Sequence, residues 1–153
     1  KQSLKQEKIM FIPQRPYLPL GTLREALLYP GTRQKTDEEL IALLKLCKID
    51  SLAGNLDMEA DWSHVLSIGE QQRLAFVRTI VYEPTWLFLD EATSALDEDT
   101  EKAMYNLLAE RLTATTVVSV GHRSTLNKFH LLAIKLDKAT ASAVLQKIDN
   151  GIN

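Results

Sequence analysis

A single cysteine, Cys47, rules out an intrachain disulfide and is compatible with a reducing compartment. It sits in the run EELIALLKLCKI, where it reads as a small buried side chain. No apolar stretch is long enough to cross a bilayer and no signal peptide is visible. A role at a membrane would therefore come through a partner or another portion of polypeptide. Neither sign of charge dominates: the formal net charge is −2, which gives no support to a nucleic-acid-binding surface. Repeats and low-complexity segments are absent as well. What is left is a globular composition at a length, 153 residues, that suits one domain with a real core. The chain opens at Lys1 and runs almost at once into a strand-like segment, so it is expected to be a piece of a longer polypeptide.

The apolar spacing divides the chain into elements. Ile9 to Ile12 reads as a short strand ending at Pro13 and Gln14, followed by a proline-punctuated loop. Thr22 with Glu25, and Thr36 with Glu39, have the spacing of capping boxes ahead of two helices, the first stopped by Pro30. The polar stretch DSLAGNLDMEADWSHV has no clear period, and the whole segment 20–65 reads as a strandless helical insertion. An amphipathic helix is expected from Ile68 to Tyr82, stopped by Pro84. Then come a strand over TWLFLD, a helix from Glu98 to Leu112, a strand over TTVVSV, a short helix near Ser124 and a last strand, LLAIKL. This alternation is that of a parallel sheet covered by helices. The segment 84–136 completes that α/β core, and the tail 137–153 reads as a short strand or a frayed end.

Polar residues gather where such a sheet would place a ligand. Trp86 to Leu89 read as a strand buried on both faces, with Asp90 and Glu91 at its carboxyl end. Strand alternation separates their side chains, which suits Asp90 to a Mg²⁺ shell and Glu91 to general-base work. A second strand leads to His122, and Gln14 stands beyond the first. Taken singly, His122 is a common loop residue, Gln14 a common turn residue, and Asp97 an ordinary N-cap before a helix. The stretch LSIGEQQRLAF leaves two readings open. Ser67 is a helix cap with a tolerated Gly69, or the pair keeps a helix start clear of side chains so that its N–H groups can meet an anion.

Together the runs PQRPYLPLGTLREALLYP, LSIGEQQRLAF, WLFLDEATSALD and SVGHR, in this order, are far more specific than their parts. The chain resembles the nucleotide-binding domain of ATP-binding cassette transporters up to about Leu136. It is most similar to the exporter group containing bacterial peptide and vitamin transporters and peroxisomal fatty-acyl transporters. The resemblance implies an α/β fold, an incomplete P-loop NTPase-like parallel sheet with helices on both faces and a helical insertion. It implies ATP and Mg²⁺ as cofactors, with Asp90 and Glu91 as the Walker B pair and Gln14 as the Q-loop residue contacting Mg²⁺, through water, and the membrane domain. It further implies Leu66 to Glu70 as the signature motif, Ser94 to Asp97 as the D-loop and His122 as the switch histidine. Ser67 and Gly69 would meet the γ-phosphate of a nucleotide held mainly by a second, head-to-tail nucleotide-binding domain. The other implied partner is a transmembrane domain on the same polypeptide, which puts the chain at the cytoplasmic face of a membrane.

Two departures qualify the resemblance. Ile68 replaces a usual Gly, and Glu70 an often-found Gln; Glu70 could lie near the phosphates or turn outward to Arg73. More importantly, none of the six glycines (Gly21, Gly31, Gly54, Gly69, Gly121, Gly151) begins a G-x-x-x-x-G-K-[ST] loop. The complete parent is expected to be an ATPase and the chain alone inactive. Without the strand that leads into that loop, LLAIKL is expected to pair directly with Thr116–Val120, or the exposed edges to self-associate. A soluble ABC-type ATPase without a membrane partner and a non-catalytic interaction module are the competing functions.

Overall fold

The computed structural model describes residues 7–137 and 139–149. Two compact units divide at Val120 and Gly121.

The first unit is built on three parallel strands in the order β1 (Ile9–Ile12), β4 (Trp86–Asp90), β5 (Thr116–Val120). The register sets Met10 beside Leu87, Ile12 beside Leu89 and Leu89 beside Ser119. These residues share one face, and Met10, Ile12, Leu87 and Leu89 are buried there. Helix α4 (Ile68–Tyr82) and helix α5 (Glu98–Arg111) join that core through the edge-on rings of Phe76 and Tyr105, 6.4 Å apart. The Tyr105 hydroxyl reaches Ser119 Oγ at 2.9 Å. The result is a mixed α/β fold with a largely parallel sheet flanked by helices, as in P-loop NTPase-like domains.

Trp86 and Phe88 correct the expectation that β4 is buried on both faces. Both are half-exposed and their rings stack 6.3 Å apart, on the side of the sheet that also carries exposed Ile9 and Phe11. The apolar run marked a strand destined for burial, but among the described residues little covers this side.

The segment between β1 and α4 is helical, with one correction. Two-residue strands β2 (Gly21–Thr22) and β3 (Glu59–Ala60) pair antiparallel and close it at its base. Both predicted capping boxes form: Thr22 with Glu25 opens α1 (Leu23–Leu28), and Thr36 with Glu39 opens α2 (Asp37–Leu46). The stretch without a period holds a 3₁₀ helix (Asp50–Asn55) and a single turn of helix, α3 (Trp62–Val65). Trp62 is buried and donates its indole N–H to the Gly21 carbonyl at 3.0 Å.

Helix α4 spans the expected residues but is central rather than amphipathic, with ten of its fifteen residues buried. Arg78 shows the consequence. It is buried without a carboxylate and donates from Nε to the Tyr29 carbonyl at 3.0 Å and from Nη1 to the Tyr17 carbonyl at 2.6 Å. Its guanidinium lies 5.0 Å from the centre of the Tyr29 ring. Burial pushes its pKa down to about 10, so it remains charged at neutral pH. Arg78→Leu should therefore cost about 3 kcal/mol in urea unfolding, because two inward carbonyls lose charged donors. A loss under about 1 kcal/mol would show that water replaces the guanidinium without penalty.

The second unit carries a 3₁₀ helix (Ser124–Phe129) and the antiparallel hairpin β6 (Leu132–Asp137) and β7 (Ser142–Lys147). This overturns the expectation that LLAIKL continues the parallel sheet or pairs with Thr116–Val120. The local alternation correctly marked a strand, but alternation does not name its partner. β7 pairs with β6 along its whole length, from Leu132 against Lys147 to Asp137 against Ser142.

Candidate functional site

In the first unit the carboxyl ends of β1 and β4 lie side by side, and the polar residues cluster there. Gln14 follows β1 by two residues, and its Nε2 donates to Ser94 Oγ at 3.2 Å. Asp90 ends β4, half-buried and paired in register with Val120. Glu91 then leaves the strand in a left-handed conformation, with φ at 50°. Strand alternation is thus not what separates Asp90 from Glu91. The turn does so, at a cost of order 1–3 kcal/mol typical of a non-glycine residue held there. Its backbone is anchored on both sides. The Glu91 N–H donates to the Val120 carbonyl at 2.9 Å, and its carbonyl accepts from the Ser94 N–H at 3.0 Å.

The turn from Ala92 to Asp97 is tied down further. Thr93 Oγ1 donates to the buried Glu101 carboxylate at 2.6 Å. Asp97 caps α5, accepting from the Thr100 N–H at 2.7 Å, and that backbone donor holds its carboxyl below the usual range. Gly69, in the first turn of α4, lies against this segment: a Cβ there would stand 3.3 Å from the Ala95 carbonyl oxygen and 3.6 Å from Leu96 Cδ2. A side chain at position 69 would thus press the turn away from the helix start.

Ser67 caps α4 in a complete capping box. Its Oγ accepts from the Glu70 N–H at 3.3 Å and donates to Glu70 Oε2 at 2.7 Å, while its own N–H donates to the same oxygen at 2.9 Å. The Ser67 hydroxyl is the main reason the Glu70 carboxyl lies below its ordinary range. Glu70 therefore folds back over the helix start instead of turning outward to Arg73. Arg73 spends its donors on the Gly69 carbonyl at 3.2 Å and the Lys48 carbonyl at 2.7 Å.

His122 is the second residue of the second unit, exposed ahead of the Ser124–Phe129 helix. Gln72 was not singled out from sequence, yet it is fully buried and bonded to Gln14, Ser94 and Ala95. Its helical position was the available signal: Phe76, one turn further on, is an apolar residue of the same face.

The donor set at the sheet edge, the Asp90 carboxylate with the Gln14 amide, suits a Mg²⁺ ion that keeps waters and substrate phosphates in its shell. Among the described residues no group of three His, Cys, Asp or Glu side chains forms a dedicated cage. The fit to a nucleotide is partial, since no glycine-rich phosphate loop occurs in the sequence.

The family model for ABC transporters matches residues 1–94. The chain belongs to the ABC transporter family. It is an ABC-type nucleotide-binding domain related to Atm1- and ABCD-type exporters. It is 48% identical over 128 residues to an uncharacterised ABC transporter ATP-binding protein of Haemophilus influenzae, covering 84% of this chain and 22% of that one. It is 40% identical over 139 residues to the human lysosomal cobalamin transporter ABCD4, covering 84% of this chain and 23% of the relative. Among solved structures it is similar to a bacterial Atm1-family ABC exporter with ATP bound. The TM-score is 0.67 at 31% identity, over 78% of this chain and 22% of the exporter. The chain spans about a fifth of the length of the curated relatives it matches. Among the described residues no helix is long and apolar enough to cross a membrane.

Proposed function

We propose that this chain serves as the signature-bearing part of a transporter ATPase domain, coupling ATP binding and hydrolysis to transport across a membrane within a larger protein. The observation that carries this reading is the meeting of Gln14, the Asp90–Glu91 pair and the Ser94–Asp97 turn at one sheet edge, with the Gly69 helix start packed on that turn.

Mg·ATP, when bound, supplies the phosphoryl group and the metal charge that neutralises its oxygens. Asp90 and Gln14 would hold the metal, Gln14 through water. Glu91, set apart by its left-handed backbone, would take the proton of the attacking water. Ser67 and the N–H groups after it would face the γ-phosphate held by a second nucleotide-binding domain, with Asp97 beside that contact and His122 acting as the switch histidine. Glu70 tempers this role, because its carboxylate now uses the Ser67 hydroxyl and would turn aside when a phosphate arrives. A groove of about 410 Å³ along β1 and the loop after it, whose lining includes Pro13, Pro16, Tyr17, Tyr29 and Arg78, is the surface this reading gives to the transmembrane domain at the cytoplasmic face.

The test is Ser67→Ala in the complete protein, with matched ATP titrations on monomeric and paired forms. The variant should weaken ATP-induced pairing about tenfold or more, as expected for losing a hydrogen bond to a charged group. ATP binding to a lone domain should change little. Equal losses in both forms would reduce Ser67 to a helix cap, whose removal costs about 1 kcal/mol.

A further inference from the structure

One side-chain amide joins three separate segments of the first unit. Gln72 is fully buried in the second turn of α4. Its Nε2 donates to the Gln14 carbonyl at 2.8 Å and to Ser94 Oγ at 3.2 Å. Its Oε1 accepts the Ala95 N–H at 3.1 Å. The Gln14 side chain closes the circuit, donating from Nε2 to the same Ser94 oxygen at 3.2 Å. A fully buried amide is costly unless its donors and acceptor are satisfied, and a satisfied network inside a protein is rigid and selective for one arrangement.

An apolar residue of equal length would fill the same space. What only an amide does is offer donors at one end and an acceptor at the other, so that both loops must keep one spacing from the helix. We propose that Gln72 is a positioning residue that sets the register between the loop after β1, the turn after β4 and the signature helix. Movement of Gln14 would then reach Ala95 and the turn that ends at Asp97. The functional meaning of this link rests on the reading of those segments as nucleotide-facing, whereas the link itself can be measured without nucleotide.

The experiment uses the complete nucleotide-binding domain without nucleotide and two variants of it, followed by amide exchange and ¹H–¹⁵N spectra. In Gln72→Met, similar in length and without polar hydrogens, the Ala95 amide should exchange about tenfold faster, as expected for a part-buried donor losing its acceptor. The Arg15 amide resonance should shift as well, because its peptide group contains the Gln14 carbonyl. Exchange from Leu74 to Val81 should stay at the wild-type rate. In Gln72→Glu the two ends separate: the acceptor for Ala95 persists and its protection holds, while the Arg15 resonance still moves. A purely space-filling role predicts that Gln72→Met is silent at Ala95 and Arg15, and that result overturns the proposal. So does a uniform rise in exchange through Leu74–Val81, which would make Gln72 a packing residue.

Discussion

Glu91→Gln in the complete protein is expected to lower steady-state ATP turnover by about 10²–10⁴-fold, the range for removing a general base, and to leave nucleotide binding largely intact. The two side chains are nearly the same size, and two of the anchors that shape this residue are backbone ones. The N–H bond to the Val120 carbonyl and the Ser94 N–H bond to the Glu91 carbonyl survive the substitution. What disappears is the ability to take a proton from water. Phosphate release measured beside nucleotide occupancy separates the two effects. Comparable turnover in both proteins would remove Glu91 from the chemistry.

The second large effect concerns the chain by itself, which should release phosphate from ATP at background rate. Catalysis of phosphoryl transfer is mostly positioning and charge stabilisation. Losing one preorganised oxyanion donor typically costs about 10²–10³ in rate. A G-x-x-x-x-G-K-[ST] loop supplies several N–H donors, a lysine and a metal-binding hydroxyl, and these 153 residues contain no such sequence. Robust Mg²⁺-dependent turnover by this chain that vanishes in Glu91→Gln would contradict the account.

The local chemistry of this molecule could be read from its sequence, and the long-range chemistry could not. Capping at Thr22, Thr36, Ser67 and Asp97 depends on residues three apart, and each cap forms. The strand Ile9–Ile12 and the helix Ile68–Tyr82 also lie where apolar spacing and proline put them. The pairing of β6 with β7 was hidden because a strand pattern carries no address for its partner. Gln72 and Arg78 were passed over because polar side chains on a helix are ordinarily solvated. Their partners are distant in sequence: Gln14 for the first, Tyr17 and Tyr29 for the second. Of the two readings of the LSIGE stretch, the structure bears out the cap. Ser67 is a true cap, and Gly69 leaves room, most visibly for the Ala95 carbonyl of its own chain.

The central claim is that Gln14, Asp90 and Glu91 surround one nucleotide-bound metal while Ser67 faces a different one. The most direct measurement replaces Mg²⁺ with paramagnetic Mn²⁺ on ATP bound to the complete nucleotide-binding domain, and follows the broadening of assigned resonances. In the unpaired domain, the Gln14 side-chain amide and the backbone amides of Asp90 and Glu91 should vanish while Ser67 and Gly69 persist. Pairing with a second domain should then broaden Ser67 and Gly69 as well. Persistent Gln14 and Asp90 signals at saturating Mn·ATP, or loss of Ser67 before any pairing, would contradict the account.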